Sequence, residues 1–173
     1  MEIQILDWIQ GIRTPVADMF WVFVTYLGDK GLIWILLTII LLLIPKTRKS
    51  GLILTAAICV DVIVCNGILK NVFARIRPFD VNHSISLLIA KPKDFSFPSG
   101  HTAISFTSAS ALFFAKEKRL WKPVFVLAIL ISFSRLYLYV HYPTDILGGI
   151  VIGIIAGYAG CQWIEKFPLL AKK

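Results

Sequence analysis

The sequence predicts an all-α integral membrane protein, a helical bundle of five to six transmembrane helices with an N-terminal interfacial amphipathic helix. Three observations predict this. Hydrophobic residues make up 57% of the 173, above the roughly 45–50% of soluble domains. Charged residues make up only 16%, against about 25% in a typical soluble chain. The mean hydropathy is +0.77, and the apolar residues gather in runs at or near membrane-spanning length. No stretch is left over for a soluble domain, so residues 1–173 read as one membrane-embedded unit.

The elements follow in order. Residues 2–12 place Ile5, Trp8, Ile9 and Ile12 at helical spacing, with Gln4, Asp7 and Gln10 elsewhere on the wheel. That pattern predicts a short helix lying in the interface. Val16–Leu27 is apolar but too short for the roughly 20 residues of a crossing, so it is expected as an interfacial or shallow insertion. Gly31–Ile44 is an intense run that reaches spanning length if extended back through Gly28. Leu52–Leu69 is a span interrupted by Asp61 and Asn66. Thr102–Ala115 is shorter and more polar, and Val124–Val140 and Ile146–Ile164 are good spans. Gly149, Gly153 and Gly157 recur every fourth residue in the last, the spacing that lets membrane helices approach closely.

The formal charge of +8 does not indicate nucleic acid. The basic residues form short clusters between apolar runs, with no nucleic-acid-binding motif or basic face. Pro45–Ser50 holds Lys46, Arg48 and Lys49; Lys116–Lys122 holds Lys116, Lys118, Arg119 and Lys122; the tail holds Lys166, Lys172 and Lys173. Alternating crossings put all three on one side, expected to be cytoplasmic. The segment Asn71–Pro98 and the turn His141–Asp145 then face outward. Cys59, Cys65 and Cys161 lie inside apolar runs and read as small apolar residues. With Glu2 and Asp7 near the start and no basic n-region, a cleaved signal peptide is not expected. Asp61, in mid-span, is expected to be protonated or paired inside the bundle in a packing role.

Three polar groups fall on the outward side. Lys70, Arg75, Arg77 and Pro78 stand at the exit of the Leu52–Leu69 span. Lys70 and Arg77 are seven residues apart, two helical turns, which predicts a shared face, with Pro78 helping to end the helix. Phe97-Pro98-Ser99-Gly100-His101 precedes an apolar helix. Ser99 is a natural N-cap, and free amides at a helix start, Gly100 included, bind phosphate. His101 beside that anion can exchange a proton near neutral pH. Ser134-Arg135 is followed by His141 and Asp145. A carboxylate four residues on can hold one ring nitrogen and leave the other free to attack. Each group alone has a bland reading: snorkelling cations, an ordinary cap, a structural ion cluster. Together they supply three cations, uncharged donors and two imidazoles, the set that a phosphoryl group in transfer needs. No carboxylate cluster points to a divalent metal, since Asp80 and Asp94 lie far apart in the loop.

With these residues in view, the chain resembles the type 2 phosphatidic acid phosphatases, a superfamily that includes the vanadium haloperoxidases. Lys70 and Arg77-Pro78, then Pro98-Ser99-Gly100-His101, then Ser134-Arg135 with His141 and Asp145 match its three-part signature in order, over residues 50 to 165. The resemblance implies that His141 is a nucleophile forming a phosphohistidine, oriented by Asp145. It implies that His101 is the acid and later the base, and that Lys70, Arg77, Ser99, Gly100 and Arg135 hold the phosphate. It also implies an all-helical, metal-independent enzyme without cofactor. The short N-terminal half departs from larger relatives, which have a clear extra span.

The expected substrate is a membrane lipid phosphate or diphosphate, such as undecaprenyl diphosphate, lipid A 1-phosphate or phosphatidylglycerol phosphate. The expected setting is a bacterial inner membrane with the site facing the periplasm or exterior, and no obligate protein partner. Arg75, His83, Lys91 and Lys93 are expected as solvated loop residues, with head-group contact as the alternative. Two other functions compete: a haloperoxidase, whose solubility this chain does not share, and a catalytically inactive lipid-phosphate binding or transport protein.

Overall fold

The computed structural model describes residues 1–167, and among them every regular element is helical. Helix α1 spans Glu2–Gly11, α2 Pro15–Leu27 and α3 Leu32–Leu43. The Thr14 hydroxyl caps α2 by accepting from the Ala17 amide at 3.2 Å, and Pro15 fills the first turn, where its missing N–H costs nothing. Helix α4 spans Arg48–Asp61, α5 Lys70–Phe73, α6 Pro78–Val81, α7 Gly100–Phe114, α8 Trp121–Tyr137 and α9 Pro143–Lys166. A π-helical stretch, Val62–Leu69, joins α4 to α5 in one rod.

Helices α2 and α3 form the two halves of one broken rod, so Val16–Leu27 runs on into the next apolar stretch instead of standing as a separate short segment. Along α2, Asp18 accepts from the Tyr137 hydroxyl, Trp21 packs on Phe133, Thr25 meets Arg135 and Gly28 lies against Ile131. The contacts therefore descend α8. Helix α3 continues downward: Trp34 donates to Ser105 Oγ at 3.1 Å, and the backbone of Leu42 packs on Gly51 at the far end. The break is a single tight turn, Asp29–Gly31, in which Lys30 and Gly31 take left-handed φ of 52° and 68°. Together Pro15–Leu43 is long and apolar enough to cross a membrane, as are Pro45–Val81 and Pro143–Lys166. Hydropathy marks Gly28–Lys30 as a boundary because the charges sit there. The turn itself lines a cavity, the setting in which a membrane protein tolerates irregular backbone.

The seven-residue spacing predicts Lys70 and Arg77 on one helical face, and here the structure differs. Helix α5 ends at Phe73, where Ala74 takes a left-handed φ of 43°, so Arg77 returns to the site in extended backbone. Pro78 opens α6 instead of closing α5.

Helix α7 is the central element, packed on α4, α8 and α9. A Cβ at Gly153 would stand 2.7 Å from the Ala103 carbonyl oxygen, and one at Gly157 2.7 Å from the Ala111 nitrogen. The small-residue stripe thus does what its spacing predicts: it lets α9 touch the α7 backbone. The main core joins Val24, Trp34, Ile53, Leu54, Leu112 and Ile131 from five helices. Many apolar side chains point outward, among them Phe23, Leu36, Ile63, Val151 and Ile155, as suits a hydrocarbon solvent.

The basic segments meet at one end. Ser50 donates to Glu117 at 2.7 Å, and Lys49 lies 4.0 Å from Glu165. Lys172 and Lys173 lie outside the described residues. Asp61 is buried, and neither of its oxygens has a hydrogen-bond partner; Thr107 Oγ1 is likewise unpartnered. Of the two expected states, protonated or paired, a pairing is not seen among the described residues. The three cysteines are free thiols.

Candidate active site

At the end of the bundle opposite the basic segments, a cavity of about 460 Å³ is lined by Lys70, Arg77, Gly100, His101, Arg135 and His141. These come from five separate pieces of chain, so the three sequence groups do converge. Lys70, Arg77, Arg135 and His141 are all buried, which is costly for cations unless they are paired or in use.

His141 sits in the turn between α8 and α9. Its Nδ1 lies 3.3 Å from Asp145 Oδ2, and its Nε2 lies 3.2 Å from Arg77 Nη1. A guanidinium only donates, so Nε2 accepts and the ring proton resides on Nδ1, toward the carboxylate. That network assignment leaves the Nε2 lone pair on the cavity side. Burial, reinforced by Arg77 and then Arg135, holds the imidazole well below its ordinary pKa, so it stays neutral.

Asp145 is the third residue of α9, after Pro143, and is wholly buried. Its Oδ2 also accepts from Ser96 Oγ at 2.5 Å and the Tyr142 amide at 2.9 Å, and its Oδ1 accepts from Arg75 Nη1 at 2.7 Å. The Asp145 carbonyl accepts from the Ser99 amide at 3.1 Å, tying α9 to the start of α7.

Lys70 and Arg77 share one carboxylate. Arg77 Nη2 donates to Asp94 Oδ1 at 2.7 Å, and Lys70 donates to Asp94 Oδ2. Arg77 also donates to the carbonyls of Asp94 and Val140, at 2.8 and 2.7 Å, and is thereby fixed. Burial works to raise the Asp94 pKa, but Lys70 and Arg77 outweigh it and hold the group at about 2. Arg135 donates to Thr25 Oγ1 at 2.5 Å while its Nε has no partner.

His101 is the second residue of α7, with Nε2 3.4 Å from Asp29 Oδ1 in the α2–α3 break. Gly100 lies beside Asn66 and Lys70: a Cβ there would come within 3.1 Å of Asn66 Oδ1 and 3.9 Å of Lys70 Nζ. Ser99 holds the N-cap position of α7, but its hydroxyl makes no cap bond; it accepts from Thr102 Oγ1 at 3.1 Å, and the residue is fully buried.

Sequence reasoning missed Asp94, Ser96, Thr25 and Asp29 as neighbours of the site. Ser96, three residues before Ser99, offered the one usable signal; the others stand in loop or apolar contexts with nothing to mark them. Of the residues expected in solvent, Arg75 packs on Asp145, and Lys91 pairs with Asp80 at 2.5 Å.

Residues 50–168 match the PAP2 superfamily. The chain belongs to that family. It is 37% identical over 137 residues to an undecaprenyl-diphosphatase of Sulfolobus acidocaldarius, covering 79% of this chain and 66% of that one. It is 34% identical to undecaprenyl-diphosphatase BcrC of Bacillus subtilis, covering 91% of this chain and 81% of the relative. Its fold superimposes on the crystal structure of Aquifex aeolicus LpxE with a TM-score of 0.81 at 31% identity, over 93% of this chain and 94% of that one. As a PAP2 member with phosphatase relatives and apolar spanning helices, this chain is a lipid phosphatase and an integral membrane protein.

Proposed function

We propose that this PAP2 phosphatase removes the terminal phosphate of a polyprenyl diphosphate, undecaprenyl diphosphate first among candidates, through a phosphohistidine on His141. One observation carries the reading: a single cavity gathers Lys70, Arg77, Arg135, His101 and His141, with Asp145 behind His141. The names of the two relatives above support the diphosphate.

In the proposed reaction Lys70, Arg77, Arg135 and the Gly100 amide spread over the oxygens of the terminal phosphoryl group. Arg77 Nη1 exchanges its contact with His141 Nε2 for a phosphoryl oxygen, and the freed Nε2 lone pair attacks phosphorus as the bond to the bridging oxygen breaks. Protonated His101 gives its proton to that oxygen, releasing the lipid monophosphate. Asp145 stabilises the positive charge that develops on the His141 ring. Water then attacks the phosphohistidine, His101 takes the water proton, the N–P bond breaks, and inorganic phosphate leaves with His141 restored. Ser99 acts in this scheme through its place at the α7 start, since it is fully buried and does not line the cavity.

The topology that goes with this reading has five crossings: the broken α2–α3 rod, the α4–α5 rod, α7, α8 and α9. The basic end faces the cytoplasm, and the cavity faces the exterior or periplasm of a bacterial inner membrane.

The test is phosphate release from undecaprenyl diphosphate, lipid A 1-phosphate and phosphatidylglycerol phosphate in micelles, by wild type and His141→Ala. The expectation is release by wild type, fastest with the diphosphate, and a loss of at least about 1,000-fold in the variant. Equal release by both proteins removes His141 from the chemistry. Binding of the lipids without any release makes the chain a lipid-phosphate binding protein.

A further inference from the structure

The geometry points to Arg75 as a positioning residue for the Asp145–His141 pair, itself held in place by Glu2 of α1; this rests on the roles proposed above for His141 and Asp145. Asp145 is fully buried, and its two oxygens are engaged differently. Oδ2 receives Ser96, the Tyr142 amide and His141, whereas the bond to Oδ1 comes from Arg75 Nη1 at 2.7 Å. A buried carboxylate oxygen without a donor is strongly unfavourable. Without Arg75, the carboxylate gains by rotating Oδ1 toward the remaining donors, and that rotation draws Oδ2 away from His141 Nδ1. Arg75 therefore fixes the rotation of the group that orients the nucleophile.

Arg75 is fixed in turn from several directions. Its Nη2 donates to Glu2 Oε2 at 2.6 Å, its Nη1 donates to Thr144 Oγ1 at 2.7 Å, and its guanidinium carbon lies 3.9 Å over the Tyr142 ring. Glu2 Oε1 accepts from both the Thr144 amide and hydroxyl, at 3.1 and 2.7 Å. Glu2 thus clamps the first turn of α9 and the arginine together. The rest of α1 is built into the same region. Leu6 and Ile9 are buried with Tyr137, Tyr139, Val140 and Tyr142. Asp7 accepts from the Tyr139 hydroxyl at 2.7 Å, and Gln10 donates to the Tyr137 carbonyl at 2.8 Å. The amphipathic helix therefore grips the turn that carries His141. Its polar tip reaches Asp145 through one arginine, so the seating of α1 and the aim of the nucleophile are linked.

Residues that orient a reacting group through another typically contribute about 10–100-fold. Arg75→Ala is expected to lower kcat for lipid-phosphate hydrolysis about 10–100-fold with KM changed less than about twofold. Arg75→Lys is expected to restore part of it. Glu2→Gln should cost a few-fold alone, about what a partly exposed ion pair is worth, and nothing further in the Arg75→Ala background. Where Arg75→Ala does not yield folded protein, Arg75→Met keeps the aliphatic stem over Tyr142. Histidine-selective ¹⁵N NMR in micelles reads the same point without turnover: the Nδ1–H tautomer of His141 in wild type, a mixture in the arginine variants. Wild-type kcat in Arg75→Ala or Arg75→Met, a loss confined to KM, multiplying losses in the double variant, or an unchanged tautomer each overturns the inference. If wild type releases no phosphate from any lipid, the functional proposal fails, and the tautomer comparison still decides this one.

Discussion

The Asp94 carboxylate lies against the Arg77 guanidinium, Oδ1 to Nη2 at 2.7 Å, and its other oxygen accepts from Lys70. One loop carboxylate thus sits between the two cations that the proposed mechanism assigns to the substrate's phosphate. A carboxylate and a phosphate oxygen compete for the same donors. The Asp94 side chain is 54% exposed, so the contact is screened and its displacement costs little. Asp94→Asn is expected to tighten inhibition by inorganic vanadate about 2–5-fold and to lower KM by a similar factor, following roughly 0.5–1 kcal/mol for a screened pair. Weaker vanadate inhibition in the variant would instead make Asp94 a brace that holds the cations in place.

Two groups at the outward end contribute to the pH behaviour. Asp94 has its pKa held at about 2, below the ordinary 3.8, so it contributes stability that is complete above 3.8 and lost as pH falls through about 2. His141, in the α8–α9 turn, has its pKa pushed down by burial and then by Arg77 and Arg135. The unfolded chain therefore takes up a proton near the ordinary value of 6.5 that the folded chain refuses, and stability falls as pH drops below that value. Between about pH 7 and 5, where Asp94 stays ionised in the folded protein, thermal unfolding in micelles should shift downward for wild type. In His141→Gln that slope should shrink. An identical slope in both proteins assigns the loss to another group.

Gly28 places the α2 backbone where a Cβ would lie 2.9 Å from Ile131 Cγ2 and 3.1 Å from His101 Cδ2. Gly28→Ala therefore presses on the proposed acid–base imidazole. Displacements of about 1 Å near a reacting centre can cost up to about 100-fold. The expected outcome is a fall in kcat of about tenfold or more in the folded protein, beside a stability loss of about 1–3 kcal/mol from the contact with Ile131. Full activity in Gly28→Ala removes the α2–α3 break from the positioning of His101.

How much of the site is legible in the sequence depends on the kind of signal. Lys70, Arg77, His101, Arg135 and His141 are legible because charge and imidazole are costly beside apolar runs, Gly100 because it opens a helix beside Ser99, and all of them line one cavity. Asp145 is legible from its spacing to His141. Asp94 and Asp29 are not: each is one carboxylate in a polar segment, and only tertiary folding brings it to the cations or to His101. Thr25 sits in an apolar run, where hydroxyls commonly bond their own helix, so its bond to Arg135 has no local mark. The break in the first rod escapes a sequence reading for a related reason. Hydropathy averages over a window and cannot tell a membrane boundary from a polar turn that faces an internal cavity.

The glycine stripe of α9 yields a graded prediction, because its members meet α7 at different depths. Gly149 stands at the site end, where a Cβ would lie 2.9 Å from both the Ser99 carbonyl oxygen and Thr102 Cβ. Gly153 and Gly157 stand deeper, each with a backbone atom of α7 at 2.7 Å from the added carbon. Gly160 extends the stripe onto α4, 2.6 Å from the Ala57 nitrogen. Backbone cannot rotate aside as a side chain can, so alanine at any of these positions separates whole helices. Overpacking of this kind costs about 1–3 kcal/mol. Gly153→Ala and Gly157→Ala are expected to lower stability by that amount while the surviving folded fraction keeps its kcat. Gly149→Ala should cost less stability, because the added carbon's closest approach to backbone is 2.9 Å against 2.7 Å at the other two. Its kcat should fall further, since Ser99 moves and the Ser99 amide anchors the Asp145 carbonyl. Micellar unfolding curves set beside phosphate release for the three variants separate the two effects. The same ratio of lost activity to lost stability at all three positions would mean that the stripe only packs the bundle and does not set the spacing of the site.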